Sequence, residues 1–273
     1  MPRIAIIGPG LLGGSIALKL RELGGWHISL WARRAEALAD LRARNLADEI
    51  SGDLATICRD ADLVILCVPV SAMPALAAEL ARCIKPTCIV TDVGSVKTSV
   101  IAELTPILGD QFIGSHPMAG KAESGIDAAE ASLFAGTNCI ITAPSQPVRE
   151  FWEKLGCRVV ELSPREHDEC VALISHLPHI VAGTLIRAVA EKNPAAFAVV
   201  GPGFRDTTRV ASGPPELWTG IITANQPAIL DALDAMISKL TEFRQTIAQA
   251  DWKGVTDALT AAKQTREQIK FPR

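Results

Sequence analysis

Gly8-Pro9-Gly10-Leu11-Leu12-Gly13 directly follows the apolar run Ile4-Ala5-Ile6-Ile7 and opens a helical pattern that continues to Leu23. A strand that runs into GxGxxG and then a helix is the context that identifies a dinucleotide-binding turn. The first glycine makes the turn, the second lets a pyrophosphate approach the helix N-terminus, and the third allows close helix–strand packing. Gly8, Gly10, Leu11, Leu12 and Gly13 are therefore cofactor-binding candidates. A glycine-rich loop without a ligand fits this context less well.

Outward from the turn, short β-branched runs alternate with helical patterns. Gly24-Gly25 stops the first helix, and His27–Trp31 reads as a second strand. Residues 62–68 (DLVILCV) form an unbroken apolar run, as in a sheet buried on both faces. Helices are expected over 73–83 and 97–108, and strands over 88–91, 138–142 and Arg158–Glu161, the last two around a helix. The alternation implies an α/β domain of Rossmann type, a doubly wound parallel sheet, over residues 1–162. Character changes at Ser163-Pro164-Arg165-Glu166, a capping box with proline at the first helical position. Residues 163–273 show no convincing strand and read as an all-helical substrate and dimerisation domain. There Ile229, Leu230, Leu233, Met236, Ile237, Leu240, Phe243 and Ile247 recur at helical spacing. So long an apolar stripe is expected to pack centrally in that domain or against a second subunit.

Composition narrows the function. Net charge is −3 with no basic block, so nucleic acid is not an expected partner. Hydrophobic residues make up 48%, enough for a full core, yet no apolar run reaches the length of a membrane span. The 7 cysteines form no CxxC pair, and several lie in apolar runs, which suits a reducing cytoplasm. Residues 1–7 read as a strand entering a turn, not as a leader peptide.

The position after the second strand selects the cofactor. NAD enzymes usually carry Asp or Glu there for the ribose hydroxyls, whereas this chain has Trp31-Ala32-Arg33-Arg34. Two guanidinium groups suit a 2′-phosphate, so Arg33 and Arg34 point to NADP in preference to NAD. The alternative is a solvated pair at a helix start, where cations are mildly unfavourable. Val68-Pro69-Val70 closes the 62–68 strand, where the nicotinamide side of a cofactor usually lies. Val68 and Pro69 join the cofactor candidates, as does Gly94 in Asp92-Val93-Gly94-Ser95 at the next strand end. Ser95 is placed to bond a substrate hydroxyl or the nicotinamide amide, or to cap the following helix.

Gly114-Ser115-His116-Pro117-Met118-Ala119-Gly120 follows the strand end Phe112-Ile113. An imidazole leaving a parallel sheet at its carboxyl edge is a candidate general base, with an expected pKa of about 6.5. A surface-loop histidine is the plain alternative. Ser175-His176-Leu177-Pro178-His179 puts two histidines three apart on one helical face, without a third ligand for a metal. One suits the core, the other a ligand. Arg205 and Arg209 are four apart and suited to a carboxylate, although Asp206 offers a surface partner for either.

Together these pieces resemble the prephenate/arogenate (cyclohexadienyl) dehydrogenase family of tyrosine biosynthesis. GPGLLGGS, DVGSVK, GSHPMAG followed by ESG, SPREHD, SHLPH and GFRDTTR carry the resemblance over essentially the whole chain. It implies oxidative decarboxylation of a cyclohexadienol. His116 corresponds to the catalytic histidine that accepts the ring hydroxyl's proton. Ser95 orients that hydroxyl and the nicotinamide. His179 contacts substrate from the helical domain, Arg209 holds a substrate carboxylate with Arg205 beside it, and His176 supports His179. For His167 and Asp168 only a helix-start role is implied. A homodimer is expected. Ala122 stands where prephenate-specific relatives carry an acid, and neither a fused mutase nor an added regulatory domain is expected in 273 residues. Two other readings stand beside it. A β-hydroxyacid dehydrogenase or imine reductase would need a lysine or acid where SHLPH lies. A non-catalytic Rossmann redox sensor would not need His116, Ser95 and Arg209 in one cleft.

Overall fold

The computed structural model describes residues 1–121 and 123–270. Its first sheet contains β1 (Arg3–Ile7), β2 (His27–Trp31), β3 (Glu49–Ser51), β4 (Leu63–Leu66), β5 (Ile89–Asp92) and β6 (Phe112–Ile113), all parallel, in the order β3-β2-β1-β4-β5-β6. The connecting helices are α1 (Leu11–Leu23), α2 (Ala35–Arg44), α3 (Leu54–Cys58), α4 (Met73–Leu80) and α5 (Thr98–Leu108). Strand order reverses between β1 and β4, which opens a crevice outside their carboxyl ends. Side chains alternate along a strand, so Ile4 and Ile6 of β1 enter one core and Ala5 and Ile7 the other. That two-sided burial is why the strands read as unbroken apolar runs.

The sequence pattern places every strand of the domain in one sheet. The structure instead builds a second one from β7 (Ser115–Pro117), β8 (Asn138–Ile141) and β9 (Arg158–Glu161), with α6 (Gln146–Lys154) between the last two. β7 runs antiparallel to β8, and β8 parallel to β9. The chain crosses between the sheets at Gly114, where a Cβ would lie 2.9 Å from Thr142 Oγ1 and 3.0 Å from Ile101 Cδ1. His116 therefore lies within a short strand, opposite Ile140, and not on a loop exit. Buried Trp152 of α6 pins this strand by donating Nε1–H to Ser115 Oγ at 3.1 Å.

The capping box forms as expected: Ser163 Oγ accepts from the Glu166 N–H at 3.3 Å, and the Glu166 carboxylate accepts from the Ser163 N–H at 2.9 Å. It starts α7 (Pro164–Val171), a π-helical turn (Ala172–His176) and α8 (Leu177–Lys192), followed by α9 (Pro202–Thr208), α10 (Pro215–Ala224), α11 (Gln226–Ala248) and α12 (Trp252–Gln268). The continuous run Pro164–Lys192 is long and apolar enough, by length and composition, to cross a membrane. Within it, however, His167, Asp168 and His176 are buried and hydrogen-bonded inside the protein. Ile221 of α10 joins the sheet's own core, which seats the helical segment against the carboxyl-edge side. On α11, Ile229 is buried but Leu230, Ile237, Leu240 and Ile247 are exposed, so one chain leaves much of that stripe uncovered.

Candidate active site

The glycine turn has the geometry its spacing requires. Gly8 has φ +97°, and a Cβ there would sit 2.5 Å from the Cys67 carbonyl. At Gly13 a Cβ would sit 2.4 Å from the Gly8 carbonyl, which fixes the close approach of α1 to β1. Gly10 differs, because its absent side chain opens onto free space, with no atom within 4 Å of the Cβ position. It is the N-cap of α1, which has neither a side-chain cap nor an acidic residue in its first turn. Free N–H groups facing an open cradle suit a pyrophosphate. Leu11 and Leu12, in that first turn, are half-buried beside it.

The neighbouring strand ends meet at this point. Val68 Cγ1 packs against Gly8, and Val70 Cγ2 lies 3.2 Å from the Cβ position of Gly94. Pro69 is exposed between them. The Asp92 carboxylate organises the edge: it accepts from the Gly94 N–H at 2.8 Å, the Ser115 N–H at 3.0 Å and buried Lys97 Nζ. One carboxylate thus ties the turn bearing Ser95 to the strand bearing His116. Ser95, half-buried, caps nothing, because α5 starts at Thr98 and takes its cap from elsewhere. Arg33 and Arg34 are exposed after β2 and have no ion-pair partner among the described residues. The loop following His116 returns over α1, where the Glu130 N–H donates to Ser15 Oγ at 3.0 Å. Ala122, in that loop, lies outside the described residues.

His116 sits at the head of a buried chain. Its Nδ1 is 2.8 Å from His167 Nε2, and His167 Nδ1 is 2.8 Å from Asp168 Oδ1. Asp168 also accepts from the Lys97 and Thr98 N–H groups, both at 2.8 Å, and so caps α5 from across the fold. Burial works against the carboxylate, but the hydrogen bonds from His167, Thr98 and Lys97 hold its pKa at about 2. An ionised Asp168 only accepts, so His167 carries its proton on Nδ1. With both rings neutral, His167 Nε2 is the acceptor and His116 Nδ1 the donor. The lone pair of His116 is then on Nε2, which no other described residue hydrogen-bonds. Burial first, then His167 and Lys97, pushes the His116 pKa well below its ordinary value of 6.5. The expected pKa of about 6.5 for an exposed loop histidine is thereby corrected.

The helical segment closes the site from the other side. Asn225 Nδ2 donates to the Asp168 carbonyl at 2.9 Å and faces His176 Nδ1 at 3.3 Å. Buried His176, its pKa lowered to about 4 by burial, lies edge-on to Trp218. His179 stacks flat on the same indole, with centroids 3.5 Å apart, and its Nδ1 has no partner. Gly213 makes this stack possible: a Cβ there would lie 2.3 Å from Trp218 Nε1. Arg209 is exposed at the start of the 3₁₀ turn Arg209–Ser212, which packs on α8, the helix of His179. Arg205 takes its plainer reading, exposed on α9 and paired with Asp206 at 3.1 Å.

The structure thus joins Gly8, Gly13, Val68 and Gly94 along one edge and packs the turn that Arg209 opens on α8, the helix of His179. The sequence pattern does not reveal His167 and Asp168 as the supports of His116, or Asn225, Trp218 and the Asp92–Lys97 pair. SPREHD carries a partial signal: two ionisable residues directly behind a capping box, one turn into a helix.

A dinucleotide cradle, a histidine with a free lone pair at the sheet's carboxyl edge and a helical half facing it define a nucleotide-dependent dehydrogenase. The particular family follows from comparison. Residues 16–161 match the prephenate dehydrogenase nucleotide-binding domain and residues 163–261 the prephenate dehydrogenase dimerization domain, so the chain belongs to the prephenate dehydrogenase family. It is 38% identical to a cyclohexadienyl dehydrogenase of Zymomonas mobilis over 98% of this chain and 96% of the relative. A prephenate dehydrogenase of Bacillus subtilis is 33% identical over 97% of this chain and 75% of its own length. Among solved structures, Aquifex aeolicus prephenate dehydrogenase in complex with hydroxyphenyl propionate and NAD+ superposes with a TM-score of 0.91 at 29% identity, covering 99% of each chain. Synechocystis arogenate dehydrogenase gives 0.86 at 34% identity, covering 97% of this chain and 99% of its own.

Proposed function

We propose that this enzyme oxidises and decarboxylates prephenate or arogenate in tyrosine biosynthesis, with NADP as the hydride acceptor. The observation that carries the reading is the free Nε2 lone pair of a neutral, buried His116 beside the nucleotide cradle. His116 takes the proton of the ring hydroxyl, and Ser95 orients that hydroxyl. Arg209 fixes a substrate carboxylate, and His179, stacked on Trp218, contacts the substrate from the helical side. The bound nicotinamide supplies the hydride acceptor, and aromatisation of the ring supplies the driving force. Gly8, Gly10, Leu11, Leu12, Gly13, Val68, Pro69 and Gly94 hold the dinucleotide. Arg33 and Arg34, free of ion-pair partners among the described residues, hold a 2′-phosphate. Residues 1–162 bind nucleotide, while residues 163–273 complete the substrate site and join two copies through the exposed stripe of α11.

Initial rates with prephenate and with arogenate, each with NADP and with NAD, test this. Turnover of at least one ring substrate is expected, with NADP giving the larger kcat/KM. Equal kcat/KM for the two cofactors refutes the cofactor reading, and no turnover of either substrate refutes the whole.

A further inference from the structure

We propose that His167 is a proton-relay residue acting through His116. As His116 Nε2 takes the ring hydroxyl's proton, His116 Nδ1 passes its own to His167 Nε2. The positive charge then rests on His167, against Asp168. The inference rests on the reading of His116 as the base.

Three observations carry it. The two contacts are short and continuous, 2.8 Å from His116 to His167 and 2.8 Å from His167 to Asp168. The surroundings favour charge on the inner ring. His167 touches a carboxylate, whereas His116 has none in contact and is disfavoured as a cation by burial first, then by His167, Lys97 and His176. Lys97 is itself neutralised by Asp92, and Asp168, one ring further in, is the acid that favours positive charge here. Third, His167 is wholly buried and His116 nearly so, so both contacts run inside the protein.

The stoichiometry of the proposed reaction fits a closed relay. The hydroxyl O–H bond breaks with its electron pair left on oxygen, and an N–H bond forms at His116 Nε2. The His116 Nδ1–H bond breaks as the His167 Nε2–H bond forms. The ring C–H leaves as hydride, and the C–C pair of the departing carbon dioxide enters the ring. What remains is a phenolate, which draws the proton back along the same path. No net proton is released, so a relay with no exit suffices.

The first test needs no turnover. In 15N-histidine-labelled, unliganded protein, His116 and His167 are both expected as the Nδ1–H tautomer, the pair the two contacts require. An Nε2–H tautomer of either ring overturns the proposal. The second test is His167→Gln, whose side-chain oxygen still accepts from His116 Nδ1 but cannot take its proton. Its kcat should fall about ten- to a hundredfold, within or just below the usual range for general-base removal, with KM and NADP affinity within about twofold. A wild-type kcat overturns the relay. If this variant no longer binds NADP, the wild-type proton inventory decides: a curved dependence of kcat on deuterium fraction supports two moving protons, and a linear one overturns them. Absence of turnover with prephenate and arogenate would sink the substrate reading and leave the nuclear magnetic resonance test intact.

Discussion

Asp168→Asn probes the deepest point of the site, because the substitution is nearly isosteric and removes only an acceptor. Asp168 Oδ1 receives both His167 Nδ1–H and the Lys97 N–H, while Oδ2 receives the Thr98 N–H, each at 2.8 Å. An amide must turn its NH2 toward one side. Facing α5, it meets the Thr98 N–H and leaves the helix start one acceptor short. Facing His167, it also meets the Lys97 N–H and forces that ring to accept at Nδ1, which moves its proton to Nε2. His116 must then accept at Nδ1 and carry its proton on Nε2, where the base needs a lone pair. Losing a hydrogen bond to a charged group at a site this buried costs roughly 1.5–3 kcal/mol. At about 2–4 °C per kcal/mol for a chain of this size, Tm should fall by about 3–12 °C. Where the amide faces His167, kcat should drop by a factor on the order of 10⁴, the scale set by a base locked in the wrong tautomer. Thermal melts and steady-state rates at one pH measure both effects. A variant with wild-type Tm and kcat within about twofold of wild type would show that Asp168 neither caps α5 nor sets the tautomer.

Arg33→Ala should cost about ten- to a hundredfold in kcat/KM for NADP and leave NAD use nearly unchanged; a parallel loss for both cofactors would remove Arg33 from the 2′-phosphate site. Light scattering should give about twice the 29.0 kDa chain mass, and Ile237→Glu on the exposed stripe should shift it toward the monomer; a monomeric wild type at micromolar concentration contradicts the interface. Arg209→Ala should raise the KM for the ring substrate at least tenfold and spare cofactor binding, which fluorescence titration can separate. Stability should fall as pH drops from about 6.5 toward 4, because His116, His176 and His179 protonate in the unfolded chain before they do in the folded one. Moving His176 from 6.5 to about 4 alone removes roughly 3 kcal/mol by pH 4. Chemical denaturation across that window that shows no loss would mean His176 is not buried neutral.

What could be read from the chain and what could not divides along sequence distance. The glycine turn, the helix Leu11–Leu23 and the capping box at Ser163 are local, each decided by residues within a few positions. β3 escapes notice because Glu49-Ile50-Ser51 is a three-residue edge strand with a single apolar side chain. β7 does so because it is equally short and ends in Pro117, which has no N–H to donate. The partners of His116 are harder still. His167 is 51 residues away, and Asp168 caps a helix 70 residues before it. No periodicity encodes such pairings, since they depend on how α7 docks on α5 after both have formed.

The π-helical turn at Ala172–His176 has a consequence for how this helix can vary. Each added residue advances a helix by about 100°, so a single widened turn resets the angular phase of everything beyond it. Before the turn, the run presents His167 and Asp168 to β7 and α5; after it, the same run presents His179 to the indole of Trp218. The bulge is a phase joint that lets one rod serve two differently oriented clusters. Deleting one residue there would leave both histidine motifs intact as text and swing His179 off its stack, so the spacing between SPREHD and SHLPH is as much a part of the site as the letters.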